Sequence, residues 1–303
     1  MKTEEHALIA LQLDTDPNYR VLRRLQPRQM FTAAAGNPLA KGIVIDTETT
    51  GLNYETEKII EIGLIAFEYD TVTGQVIRVI DRYSGLEDPV HPLSAEIQEI
   101  TGITDAMVAG QRIDDARVNA LVADASLVIA HNAQFDRPFL ERRLSIFADL
   151  AWGCSLVDID WMGEKLGARK LDYIAMTQGF FFDAHRAEDD CWALLEILSR
   201  DLPVSKQPAL KSVMEHLNVS EYRVFALNSP FATKDSLKAR QYRWDGERKV
   251  WYRSLFGEAA FQQEAEWLKD AIYAGRSAII EIEVRDAHVR FALRSGNVKK
   301  VTL

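Results

Sequence analysis

Ile43-Val44-Ile45-Asp46-Thr47-Glu48-Thr49-Thr50-Gly51 is an apolar run that turns acidic and stops at a glycine. Its β-branched residues predict a buried strand, and side chains two apart on a strand share a face, so Asp46 and Glu48 point the same way. Neighbouring carboxylates repel one another and are held together when a cation lies between them; oxygen ligands of this kind suit hard divalent ions such as Mg²⁺ or Mn²⁺. An isolated Asp-x-Glu is more often a solvated strand end. The decision therefore rests on whether the rest of the chain supplies further ligands.

Working outward, apolar patterns predict strands over 42–48, 59–69 and 75–83, the last two joined as an antiparallel hairpin by the turn 70–74. Helices are predicted over 94–100 and 114–123, a short buried strand over 127–130, and a helix over 135–147 with Pro138 in its first turn. A brief strand over 155–157 precedes predicted helices over 159–166, 171–179 and 187–200. An antiparallel start followed by alternating helices and short strands is an α/β layer fold with a mixed sheet, and it occupies residues 41–202.

Residues 1–40 read as an N-terminal helical arm, with helix-compatible stretches over 4–13 and 18–25. Arg20, Arg23, Arg24 and Arg28 make the second stretch basic, which suits a docking arm or a solvated face, the solvated face being favoured. The prolines of 201–209 mark a boundary. Beyond it, Leu210, Val213, Met214 and Leu217 have helical spacing. A small α+β unit over 203–303 is expected to continue with a strand over 222–227, a helix over 234–241, a hairpin over 242–253, a helix over 258–274 and a closing strand pair within 278–293.

The chain has 303 residues, 47% hydrophobic and 27% charged, which is the composition of folded domains rather than of a disordered chain. No apolar run reaches membrane-spanning length, and the first residues lack the basic-then-apolar layout of a signal peptide, so a cytoplasmic location is expected. Cys154 and Cys191 have apolar neighbours and read as reduced core thiols. The net charge of −9 argues against coating nucleic acid by bulk electrostatics, while leaving local engagement of phosphates through metal ions open.

Two further acidic landmarks fall at predicted helix starts. Ala130-His131-Asn132-Ala133-Gln134-Phe135-Asp136 ends a buried strand and places Asp136 in the first helical turn. His185-Arg186-Ala187-Glu188-Asp189-Asp190 precedes the apolar stripe Leu194, Ile197, Leu198. From the latter, Asp190 can reach inward, His185 can approach the same point from the preceding loop, and the small Ala187 lets the helix pack close to the sheet. Each acid alone is a common helix-start residue, favoured by the dipole; the three landmarks in this order are much rarer by chance.

With these motifs, residues 41–200 resemble the DEDDh-type (DnaQ-like) 3′→5′ exonucleases, the family that includes polymerase proofreading subunits. The first motif is carried by Asp46 through Gly51, the second by His131 through Asp136, and the third by His185 through Asp190. The segments Leu93-Ser94-Ala95-Glu96-Ile97 and Ile100-Thr101-Gly102-Ile103-Thr104 are also similar to relatives, where substrate contacts fall. The resemblance implies an RNase H-like fold, with five strands in a mixed sheet flanked by helices. It implies two Mg²⁺ or Mn²⁺ ions per site, about 3.5–4 Å apart, with Asp46, Glu48 and Asp190 as ligands, Asp46 bridging, and Asp136 holding a metal through water. His185 would be the general base. Thr47, Thr49, Leu52, His131 and Phe135 would contact the terminal nucleotide. The implied reaction removes nucleoside 5′-monophosphates from the 3′ end of DNA, with unpaired ends preferred. An exoribonuclease trimming RNA 3′ ends, and a proofreading subunit of a DNA polymerase complex, are the alternatives. A polymerase or repair complex is the partner class it implies, and no membrane is involved.

The region 221–253 carries eight Lys or Arg against four acids, in a chain that is acidic overall. Aromatic residues alternate with these bases, so Arg243, Trp244, Lys249 and Trp251 are candidate nucleic-acid contacts. Alternation also places Tyr242 and Trp244 on the face opposite Arg243, which equally describes an aromatic hairpin core with a basic outside.

Overall fold

The computed structural model of the chain describes residues 2–303. Helix α1 (Lys2–Asp14) and a two-residue strand β1 (Arg23–Arg24) precede the first large sheet, which opens with β2 (Leu39–Thr49), β3 (Ile59–Asp70) and β4 (Val76–Leu86). Helices α2 (Ala95–Thr101), α3 (Asp105–Val108) and α4 (Asp115–Val122) lead to β5 (Leu127–Ala130), α5 (Ala133–Arg143) and β6 (Trp152–Cys154). The sheet order is β4-β3-β2-β5-β6, with β2 antiparallel to β3 and parallel to β5. This is the mixed five-stranded sheet expected from the sequence.

β3 is buried along almost its whole length because helices cover both faces of the sheet. One core joins Val44, Ile65 and Phe67 to α6 (Leu171–Thr177) and α7 (Ala187–Leu198), and the other joins Ile43, Ile45 and Leu64 to α4 and α5. Capping follows the sequence: Ser94 and Asp114 accept from the amides of Ile97 and Arg117 at the starts of α2 and α4.

Several expected elements differ. Residues 18–25 form no helix. Arg23 and Arg24 instead run parallel to β7 (Phe180–Phe181), and Arg20, Arg24 and Arg28 bond to the Thr177 carbonyl, Asp183 and Glu196. The arginines are fastened to the body rather than simply solvated. α5 starts two residues early, which leaves Pro138 inside the helix rather than in its first turn. The strand expected over 155–157 lies at Trp152–Cys154, and 159–166 is a series of turns whose apolar residues Ile159, Trp161 and Leu166 still fill the core.

Helix α8 (Ala209–Leu217) packs its apolar face into the first core, where Val213 closes on Gly153 of β6. It therefore belongs with the first sheet although it follows the proline-rich segment. The second sheet contains β8 (Glu221–Ala226), β9 (Arg243–Asp245), β10 (Val250–Phe256), β11 (Ile279–Arg285) and β12 (Asn297–Thr302), ordered β12-β11-β8-β10-β9 and antiparallel throughout. Helices α9 (Lys234–Ala239) and α10 (Glu258–Trp267) cover one face of it. The closing pair is wider than expected, since 286–296 is not strand but a loop that returns to the first sheet. In that loop the Ala287 carbonyl accepts from the Trp152 amide at 2.8 Å, and Phe291 enters the core of α5.

Candidate active site

The alternation along β2 sorts its acidic end between the two faces of the sheet. Asp46 and Glu48 share the parity of Val44 and turn toward α7, while Thr47 shares that of Ile43 and Ile45 and turns toward α5. Helix α7 begins tight against β3 at Gly63, the residue paired with Asp46; a Cβ on Gly63 would lie 2.4 Å from the Ala187 carbonyl carbon. Ala187 is fully buried there, and the Cys191 thiol donates to the Gly63 carbonyl at 3.2 Å. Asp190 is thereby carried to β2. Carboxylate oxygens of Asp46, Glu48 and Asp190 all lie within 4.8 Å of one another, the one such acidic or metal-ligand group among the described residues.

Burial and mutual repulsion govern these groups. Desolvation, then the charges of Asp136, Asp190 and Glu48, hold Asp46 well above the usual carboxylate range. Glu48 is pushed up to about 8, first by burial and then by Asp190 and Glu61, against a smaller opposing pull from Arg186. Burial likewise lifts Asp190 to about 7. An all-oxygen donor set that is strained by its own charge fits a hard divalent cation.

Asp136 reaches the site from the other face. It is buried at the start of α5, where Asn132 takes a left-handed conformation (φ 93°) and turns the chain from β5 into the helix. One Asp136 oxygen accepts from both the amide and the hydroxyl of Thr47, at 3.1 and 2.9 Å. Burial raises this carboxyl to about 7 in spite of those bonds. Thr47 therefore orients Asp136, and its hydroxyl is not turned to a substrate. The Thr49 hydroxyl is similarly spent on the Gly51 carbonyl at 2.7 Å. Leu52, in contrast, is 85% exposed just past the end of β2, and Phe135 is half-buried against Phe139.

His131 departs from its expected role. Its ring bridges the Ser155 hydroxyl at 2.8 Å and the Arg169 carbonyl at 2.9 Å. Burial brings it down to about 4, so the neutral ring donates Nε2–H to Arg169 and accepts at Nδ1 from Ser155. It ties two loops together rather than presenting a ring to a ligand.

His185 lies exposed on the loop before α7 in a left-handed conformation (φ 67°). The next residue, Arg186, has its amide bonded to Asp190 at 3.1 Å and its guanidinium laid on Glu61, with Nη2 at 2.8 Å. Glu61 is almost completely buried, pairs with Glu48 across β2 and β3, and also accepts from the Ala187 amide at 3.0 Å. Sequence reasoning missed Glu61 and Gly63. The visible signal was a lone acid and a lone glycine inside the apolar run 59–67.

In the second sheet, Trp251 is half-buried against the core while its cross-strand partner Trp244 stays 51% exposed, with ring centroids 5.4 Å apart. Tyr242 is buried in that core. Arg243 is exposed on the opposite face, and Lys249 is exposed in the turn. The aromatic core with a basic outside is thus the observed arrangement. Among the described residues, no helix is long and apolar enough to cross a membrane.

The chain is similar in sequence to known proteins. An exonuclease family model matches residues 43–198. DNA polymerase III subunit epsilon of Treponema pallidum is 32% identical over 167 residues, 51% of this chain and 73% of that protein. A PolC-type DNA polymerase III of Thermotoga petrophila is 29% identical over 195 residues, covering 62% of this chain but 14% of the polymerase. The chain thus spans only a small part of the PolC-type relatives. Among solved structures, Exonuclease X in complex with 5′-overhanging duplex DNA aligns over 58% of this chain and 92% of that one at 23% identity, with a TM-score of 0.40. E. coli Exonuclease I in complex with a dA16 oligonucleotide aligns over 71% and 63% at 14% identity, with a TM-score of 0.49. By the family match and the epsilon relative together, the chain belongs to the exonuclease family.

Proposed function

We propose that the chain is a metal-dependent 3′→5′ exonuclease that removes nucleoside 5′-monophosphates from DNA, with a preference for unpaired 3′ ends. The observation that carries this reading is the convergence of Asp46, Glu48 and Asp190 within 4.8 Å at the C-terminal end of β2. Mg²⁺ or Mn²⁺ bound by these residues would lower the pKa of the attacking water and stabilise charge on the leaving oxygen. In the reaction, the water oxygen forms a bond to phosphorus, the P–O3′ bond breaks, and the 3′ oxygen departs with a proton. His185 receives the proton of the water from its exposed position on the loop before α7. Asp136, fixed by Thr47, would help hold the metal, and Leu52 and Phe135 would pack against the terminal nucleotide. The epsilon relative makes association with a DNA polymerase the favoured cellular context.

The test is a digestion series on end-labelled single-stranded DNA, duplex DNA and RNA, in Mg²⁺, Mn²⁺ and chelator. A ladder shortening from the 3′ end of DNA, absent in chelator and absent in Asp46→Ala, is expected. Cleavage that persists in chelator overturns the site assignment, and faster digestion of RNA reassigns the substrate.

A further inference from the structure

Outside the acidic site, a cleft of about 530 Å³ opens between the two sheets, lined by Arg169, Gln241, Arg243, Tyr252, Arg253 and Ser254. Its volume is in the range of ligand-binding clefts. Three of its six lining residues are arginines and none is acidic, in a chain of net charge −9. Arg253 is steered by Glu264, at 2.9 Å, whereas among the described residues Arg169 and Arg243 enter no ion pair. Like charges gathered around a concavity raise its positive potential, and the group that relieves them is an anion.

The strand register accounts for Arg243, while Arg253, of opposite parity, is on the helix-covered side with Glu264. Arg243 and Tyr252 pair across β9 and β10, and Ser254 follows two residues later, so all three project from the sheet face opposite Trp251 and the helices. That face turns toward the first sheet. Near its other end the buried Arg290 is bonded to Asp158, which fixes the second sheet against the exonuclease body. Tyr252 adds a half-exposed ring beside the arginines, the pairing of flat aromatic and cation that single-stranded nucleic acid favours.

The cleft also lies toward the strand ends that bear the acids. β5 is parallel to β2, so His131, which follows β5, leaves the sheet at the same strand ends as Asp46 and Glu48. Its Nε2 holds the Arg169 carbonyl at 2.9 Å, anchoring the cleft wall to that end of the sheet.

We propose that this cleft binds the phosphodiester backbone of a single-stranded nucleic acid, several nucleotides upstream of the 3′ end held at the acids. The inference rests on the exonuclease reading for the polarity of the strand, but its binding component is measured separately. The exposed Trp244 and Lys249 lie outside the cleft lining, so the binding surface is the cleft and not the tip of the hairpin.

The test uses the full chain in chelator, with fluorescein-labelled dT20 and dT4 followed by anisotropy across a salt series. Wild-type protein is expected to bind dT20 on the order of ten-fold or more tighter than dT4. The double variant Arg169→Gln/Arg243→Gln should lose most of that length-dependent gain, and the slope of log affinity against log salt should fall by about 1.4, near 0.7 for each lost phosphate contact. Ser254→Asp, an exposed change that adds an anion to the cleft, should act in the same direction and guards against a misfolded double variant. Equal binding of dT4 and dT20 by the wild type, or a dT20 affinity unaltered in both variants, overturns the proposal; the second result would assign the cleft to another anion, such as an acidic protein segment. Metal-dependent digestion of dT4, assayed in parallel, tests the exonuclease reading: its absence refutes that reading, while loss of the length effect alone refutes only the cleft.

Discussion

Thr47 donates twice to one oxygen of Asp136, through its amide at 3.1 Å and its hydroxyl at 2.9 Å. Both bonds favour the charged carboxylate and oppose the burial that lifts it to about 7. Thr47→Val keeps the shape and the amide bond but removes the hydroxyl donor. A hydrogen bond to a charged group contributes about 1.5–3 kcal/mol, and 1.36 kcal/mol corresponds to one pKa unit. The acid limb of the pH–rate profile should therefore move up by about one pH unit, with the fold retained. An unmoved limb would show that Asp136 does not control activity.

The metal-free site should behave inversely to an ordinary salt-bridged protein. Glu48 rises from 4.5 to about 8, and Asp190 rises from 3.8 to about 7 on folding. Across the window from about 4 to 8 the native state consequently binds more protons than the unfolded chain. Stability in chelator should fall as pH increases through that window. Divalent cations reverse the penalty by binding the deprotonated acids, so the rise in Tm on adding Mg²⁺ or Mn²⁺ should be larger at pH 8 than at pH 6. Asp46→Asn should raise Tm in chelator at pH 8 and remove most of the metal-induced shift. Thermal melts at the two pH values check both signs; a metal shift independent of pH would refute this account.

The sheet was legible because its strands combine β-branched runs with punctuation: β5 lies at 127–130 as expected, and β2 and β3 contain the expected segments. The spacing of Asp46 and Glu48 also revealed their common face. What stayed hidden depended on register or on distant partners. The use of Thr47 for Asp136 follows only once α5 is known to cover the opposite face. His131 has the sequence appearance of a site residue, but its ring is consumed by Ser155 and the Arg169 carbonyl, 24 and 38 residues away. The strap at Arg23–Arg24 carries no strand pattern of its own and takes its conformation from Phe180 and Phe181.

Gly63 sets the distance between α7 and the sheet. A methyl group there would meet backbone, at 2.4 Å from the carbon and 2.5 Å from the oxygen of Ala187, so a side-chain rotation cannot make room. Gly63→Ala should displace the helix start that carries Asp190, at a cost of about 1–3 kcal/mol for overpacking. Activity should fall by much more than the population of folded protein. Arg186→Gln should act on the same joint by leaving Glu61, 1% exposed, without its cation. Because Arg186 is itself partly exposed, the loss should lie at or below the low end of the ~3–5 kcal/mol seen for a broken buried pair. Urea unfolding together with initial rates separates the two effects, and full activity in Gly63→Ala would dismiss the packing argument.

Arg137, the neighbour of Asp136 in α5, joins the two sheets. It is fully buried and donates to the carbonyls of Arg290 and His288 at 2.6 Å each, and of Ala148 at 3.2 Å, with Glu141 as its charged partner. Burial pushes its pKa down to about 10, so it stays charged at neutral pH and requires those acceptors. Arg137→Met leaves the Arg290 carbonyl without a donor, while Arg294 still donates to the carbonyls of His288 and Ala148; an orphaned buried acceptor costs about 1–3 kcal/mol. Truncation after residue 217 removes the acceptors instead and bares Trp152 and the pocket that Phe291 fills. The prolines at 203 and 208 mark a boundary in the sequence, and the contacts of Arg137 and Phe291 join the two sheets across it. The truncated chain should melt well below the full chain and lose metal-dependent activity, while Arg294→Gln, at a 41%-exposed side chain on the rim of the same junction, should change Tm little. Equal melting temperatures for the truncated and full chains would show that the second sheet contributes nothing to the fold of the first.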